Sequence, residues 1–234
     1  MKITVGQLRR IIAEETQKVV SEASLDGVDT SAMAVVLDDS GTSRTAVVYD
    51  VPALRAAVAA SNYAGSRDYI IGFVQVAAPR GAPCRGAWQV KGIVGPGKIV
   101  YGLAYALSPT GLIVPDRSNV SPSASSAWKG YAAKVGRANI LPLDDADHPK
   151  KGADAFHDAH HTPSEDDDCY TSHEEEYLNA AYRGPGGEGA LLDRLMDAHE
   201  SVMNQLAASG VDASDVEGEI LDGGYAKFDA SMGY

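Results

Sequence analysis

Between Gly86 and Tyr131 the chain reads as strand, glycine turn, helix, short strand and helix, and no other stretch constrains the fold as much. Gly86 to Val94 predicts a strand, and Gly95-Pro96-Gly97 breaks it. A helix from about Pro96 to Leu107 stops at Ser108-Pro109-Thr110-Gly111, because proline cannot continue it and glycine suits the stop. Leu112 to Val114 predicts a short buried strand, and Ser121-Pro122 opens a helix to about Val135 with the proline in its first turn. A strand that enters a helix through glycines aims free backbone N–H groups and the positive end of a helix dipole at one point, which suits a phosphate. The same residues also make a tight strand-to-helix turn with no ligand at all.

Elements on either side extend this unit into an α/β core over residues 30–143. Met33 to Leu37 and Thr45 to Val51 predict a hairpin across Asp38 to Ser43. Pro52 opens a helix that runs to Ser61, and Tyr69 to Ala77 predicts a strongly apolar, central strand. Pro79 to Pro83 turns the chain toward Gly86, and Asn139 to Leu143 supplies a last strand. Ahead of the core, residues 1–25 predict a leader helix: Thr4 and Gln7 make a capping box, Ile3 is placed to staple onto Leu8, and Leu8, Ile11, Ile12, Glu15 and Val19 share roughly one side. Residues 144–184 are acidic and hold five of the six histidines, which predicts mostly loop. In residues 185–234 a stripe of Leu191, Leu192, Leu195, His199, Val202, Met203 and Leu206 predicts an amphipathic helix ending at Ser209-Gly210. Ser214 and Glu217 predict a capping box for a short helix, followed by a tail bearing Tyr225, Phe228 and Tyr234.

Composition removes several function classes. A formal charge of −12 and a pI near 4.8 oppose binding to nucleic acid or anionic lipid. No apolar run approaches the roughly 20 residues of a membrane span, and the first 22 residues lack the uncharged core of a secretory signal. The two cysteines, Cys84 and Cys169, fit neither a disulfide scaffold nor a paired-cysteine zinc site, so the expectation is a reducing interior and a buried, inert Cys84 thiol. His148, His157, His160, His161 and His173, with Asp166 to Asp168 and Cys169, include every ligand type zinc accepts. They lack the spacing of a known site, and the expectation is a solvated segment with no metal.

The order of elements from 33 to 143 resembles the GCN5-related N-acetyltransferase fold, an α+β unit with a central mixed sheet, here with helical extensions at both ends. In that family the turn after the fourth strand holds the coenzyme A pyrophosphate. Gly95 and Gly97 match the glycines of its Q/R-x-x-G-x-G/A signature, while Gly92 stands where the family has Gln or Arg. The resemblance implies acetyl coenzyme A as cofactor, held by the amides of Gly97, Lys98 and Ile99 beyond Gly95, with the Lys98 ammonium as an outer charge. It also implies direct transfer from thioester to amine, with Tyr131 on the helix that commonly bears the acid and with Asp116, another aspartate or a water chain as the base. No glutamate occurs between Glu22 and Glu165, which opposes the usual chemistry. Trp128 and Tyr131 equally suit a shared core-facing role, and Asp116-Arg117 a loop-locking ion pair.

Residues 68 to 183 also resemble proteins of large tailed phages, through Gly111 to Arg117, Trp128, Tyr131, Leu143-Asp144-Asp145, Thr162-Pro163, Asp167-Asp168-Cys169 and Tyr177 to Tyr182. Met1 to Glu15 resembles a leader found on such phages' proteins and is similar to capsid-targeting peptides; Ile12-Ala13-Glu14 fits a head-protease cleavage pattern. Two functions follow from these resemblances. One is a phage-encoded acetyltransferase-like protein with an unidentified acceptor, in the host cytoplasm. The other is a non-enzymatic virion component whose terminal helices contact other virion proteins.

Overall fold

The computed structural model describes residues 29–79, 84–115, 122–134, 137–143 and 176–232. The predicted leader helix, Asp116-Arg117, the histidine-rich segment and Tyr234 lie outside them. The core is a seven-stranded mixed sheet: β1 (Met33–Asp39), β2 (Ser43–Asp50), β3 (Ile70–Ala77), β4 (Trp88–Val94), β5 (Leu112–Val114), β6 (Ile140–Pro142) and β7 (Ala180–Arg183), in the spatial order β1-β2-β3-β4-β5-β7-β6. β1 to β4 form an antiparallel meander, β5 runs parallel to β4, and β7 inserts antiparallel between β5 and β6. The class is α+β, as the sequence predicts. β7 was not foreseen: four residues from the end of the acidic region complete the sheet.

Alternation along the strands divides the core by face. Val35, Ala46, Val48, Val74, Val76 and Val90 pack one way, against helix α2 (Gly97–Leu107), Trp128 of α3 (Pro122–Lys134) and the start of α4 (Glu188–Ala208). Ala34, Val36, Val47, Tyr49 and Phe73 pack the other way, against α1 (Val51–Ala59), the end of α4 and α5 (Ala213–Met232). α4 lies along β1, the outer strand, with Leu191 and Leu195 in the first cluster and Val202, Met203 and Leu206 in the second. It thereby covers an edge whose unpaired backbone would otherwise invite another strand.

Local chemistry sets the helix starts. The Asp50 carboxylate accepts the Ala53 N–H at 2.7 Å, and Pro52 sits in the first turn of α1. Asp50→Ala is expected to cost about 1 kcal/mol, read as a lower midpoint in urea at unchanged slope. Arg44 ties β2 to the end of α2: its guanidinium donates to the Leu107 carbonyl at 2.9 Å and lies 5.2 Å from the Trp88 ring centroid.

The C-terminal region corrects two expectations. α5 is a 20-residue helix rather than a short helix and tail, and its cap is Asp212, which accepts the Ser214 N–H at 3.0 Å. Gly223 and Gly224 do not break it, because they are where the helix meets the sheet. A Cβ on Gly223 would stand 3.2 Å from Ile70 Cγ1, and one on Gly224 2.8 Å from Val47 Cγ1. The glycines trade helix propensity for close approach.

Candidate functional site

The turn between β4 and α2 uses its two glycines differently. Gly95 has φ +125°, and a Cβ there would lie 2.6 Å from the Ile71 carbonyl oxygen and 2.7 Å from Gly72 Cα. Close packing on β3 therefore accounts for Gly95 with no ligand. Gly97 carries no such constraint: a Cβ would meet nothing within 4 Å, and its φ is an ordinary one. The turn from Gly95 to Lys98 is exposed. Pro96 caps α2 without a side-chain hydrogen bond, and the first turn contains no acid.

Ile99 leaves the set of donors expected from the sequence. Its N–H bonds to the Pro96 carbonyl at 3.0 Å, the Val100 N–H takes the same oxygen at 3.1 Å, and the Ile99 side chain is buried. Tightening of the first turn thus consumes that amide. The Gly97 and Lys98 amides have no acceptor among the described residues. Two donors, the helix dipole and an exposed ammonium converge where the missing Gly97 side chain leaves room.

A second glycine-rich helix start gives the contrast. At Gly184-Pro185-Gly186-Gly187, leading into α4, the buried Glu188 carboxylate accepts the Gly186 N–H at 2.9 Å. The chain's own acid takes the anion position there, and the Gly184 site is filled by that carboxylate. A cleft of about 510 Å³ beside it, lined by Ser108, Thr110, Arg183 and Glu188, lies at the C-terminal end of α2. The length of that helix, roughly 16 Å, separates it from the Gly95–Lys98 turn.

Among the described residues β4 and β5 pair only briefly. Their parallel pairing consists of Trp88 with Ile113 and Gln89 with Val114, and Pro115, which has no N–H to offer, follows. Among the described residues Val90 to Val94 run on toward the turn without pairing to β5. On the α2 side, Trp128 stands edge-on to Tyr101 at 5.5 Å and 5.2 Å from Tyr182, linking α2 to β7. Burial pushes the Tyr101 phenol above its usual range.

The register of β4 also accounts for Gly92. Gln75 pairs with Gly92 but Val76 with Val90, so Lys91 is the extra residue of a bulge. The bulge turns Gly92 toward α5, where any Cβ would run into the Phe228 ring. Phe228 stacks on Phe73 at 5.1 Å, and one turn earlier the Tyr225 hydroxyl bonds Thr45 at 3.0 Å and Asp38 at 3.2 Å. Where the resemblance implies Gln or Arg, this chain makes room for its own C-terminal helix.

Of the expected acid–base pair, Asp116 lies outside the described residues; Tyr131 belongs to α3 by its backbone, and its side chain lies outside them too. Among the described residues no group of three His, Cys, Asp or Glu could hold a metal, and no helix is long and apolar enough to cross a membrane. Glu188 of α4 is buried by its own helix start and Glu217 of α5 lies against His199, and neither is adjacent to the turn in sequence. A glycine run ending in glutamate was the signal for the first of these.

Cys84 corrects the expectation of a free thiol. It is 2% exposed and disulfide-bonded, and the only other cysteine in the sequence, Cys169, lies outside the described residues. Cys84, Arg85 and Gly86 all take positive φ, a costly run for two non-glycine residues, and Arg85 is tied to the Pro142 carbonyl at 3.2 Å. A cysteine count carries no information on which thiols approach each other. No family model matches the chain, and no curated protein or solved structure matches it closely enough to carry an assignment.

Proposed function

We propose that this chain is a phage-encoded, acetyltransferase-like protein whose Gly95–Lys98 turn receives the pyrophosphate of an acyl coenzyme A. The observation that carries the reading is the uncapped start of α2. Gly97 leaves open space there, the Gly97 and Lys98 amides face no acceptor among the described residues, and the first turn of α2 contains no acid. Such a site binds an anion through backbone donors and the helix dipole. Among the described residues β4 pairs with β5 only at Trp88 and Gln89, which suits a long, thin ligand entering between strand ends. When bound, the coenzyme would supply an activated acyl thioester. The residues of this chain would position its phosphates through Gly97 and Lys98 and leave the Ile99 side chain in the core.

Isothermal titration of the full chain with acetyl coenzyme A tests this. The wild type is expected to bind, and Gly97→Trp to lose binding while keeping its thermal unfolding curve, since the position is exposed and a Cβ there meets nothing within 4 Å. No heat at roughly millimolar ligand would remove the coenzyme reading, because affinity weaker than that contributes only about 4 kcal/mol.

A second reading, a virion component that uses the same fold for assembly, is favoured by the disulfide at Cys84. Disulfides persist on virions and in other oxidising surroundings and are rare in a reducing cytoplasm. The Phe228 ring over Gly92 favours it too, because it gives that strand position a packing role. Mass spectrometry of purified particles separates the two readings: absence of the protein from the particles removes the second.

A further inference from the structure

The cleft between the end of α2 and the start of α4 brings together two opposite charges that no described residue matches. Glu188 is 9% exposed, and its Oε1 accepts the Gly186 N–H at 2.9 Å. Among the described residues no cation pairs with its carboxylate, and its Oε2 accepts no hydrogen bond. Arg183, the last residue of β7, lines the same cleft and is exposed. Its guanidinium makes neither an ion pair nor a hydrogen bond among the described residues, so it does not pair with Glu188 either. We propose that this cleft binds a free α-amino acid, with Glu188 receiving the ammonium and Arg183 the carboxylate.

The hydroxyls in the wall set the orientation. Ser108 Oγ donates to the Leu112 carbonyl at 2.6 Å, and Thr110 Oγ1 donates to the Gly86 carbonyl at 2.8 Å. Each hydroxyl has one proton, so both residues keep only acceptor capacity for the cleft they line. A carboxylate and two hydroxyl acceptors favour a cationic group with several N–H donors, which a protonated amine supplies. Arg183 is the one cation among the residues that line the cleft, and its planar fork of donors matches a carboxylate.

Charge balance selects a zwitterion. A simple cation would leave Arg183 unmatched, and a simple anion would leave the buried Glu188 unmatched; an amino acid answers both. The backbone leaves room for it. A Cβ on Gly184 would press on the Glu188 carboxylate and stand 3.0 Å from Tyr105 Cγ, so glycine keeps that end of the cleft open. The volume of about 510 Å³ falls within the range of roughly 300–1,000 Å³ that small-molecule sites occupy. The site stands whatever the Gly95–Lys98 turn binds.

Thermal unfolding of the full chain with each standard L-amino acid at about 10 mM, followed by isothermal titration of the best ligand, tests the proposal. A Kd of about 1 mM or tighter is expected, which at that concentration raises the melting temperature by at least about 3 °C. The N-acetylated and the decarboxylated analogues of the best ligand each lack one charge, and each is expected to bind at least about tenfold more weakly. Arg183→Gln, at an exposed position, is expected to lose a similar factor for the parent ligand. So is Glu188→Gln, which keeps an acceptor for the Gly186 N–H and removes the charge; if it does not fold, Arg183→Gln and the analogues decide. No shift with any amino acid, or undiminished binding of either analogue or by Arg183→Gln, overturns the proposal.

Discussion

Gly95→Ala is expected to destabilise the protein by roughly 3 kcal/mol or more, although it adds a single methyl group. Two costs combine. At φ +125° an L side chain is strained whatever the space around it, and the new Cβ would press on the Ile71 carbonyl and Gly72 Cα, both backbone atoms of a central strand. The internal control lies two residues on. Gly97→Ala meets nothing within 4 Å and occupies the first turn of a helix, so it is expected to be neutral or to stabilise by up to about 1 kcal/mol. Urea denaturation of both variants checks the pair, and equal losses would contradict the division of roles between the two glycines.

Trp128→Ala carries the other large expected effect, about 3–5 kcal/mol. Trp128 is 3% exposed, and its ring contacts Tyr101 of α2 and Tyr182 of β7. Its removal leaves a cavity beside the short strand β5, which has only two paired residues on each side to hold it. Thermal unfolding should shift down by several degrees per kcal/mol, and amides of β7 should lose exchange protection more than those of β1 to β3. Uniform loss over the sheet would instead mean that Trp128 is not a local bridge between α2 and β7.

The legible parts of the chain were those whose cause is local. The strand from Trp88 to Val94, the turn, α2 and α3 follow from apolar runs punctuated by Gly95, Pro96, Pro109, Gly111 and Pro122, and the structure places these elements within a residue or two of the expectation. The stripe through Leu191, His199 and Leu206 likewise predicted α4 and the inward direction of His199. At the site, the sequence singled out the turn and its glycines. It credited Ile99 with a free amide because composition cannot show how tightly a first turn winds.

The illegible parts depend on partners far along the chain. Ala180 to Arg183 carries too few residues to announce a strand, and its place between β5 and β6 is settled by pairing with Leu112-Ile113 on one side and Ile140 to Pro142 on the other. Gly223 and Gly224 read as helix breakers until Ile70 and Val47 are set against them. Cys84 reads as a lone thiol until it is found in a disulfide.

The sequence by itself thus determined the α+β class, the strand-to-helix turn and the faces of its helices, since hydrophobic period, capping and proline or glycine stops act over a few residues. Only the tertiary structure decided why Gly92 carries no side chain and what His199 touches. Those are consequences of packing α4 and α5 onto a sheet built from distant segments, where close approach and burial, rather than local propensity, set each residue's role.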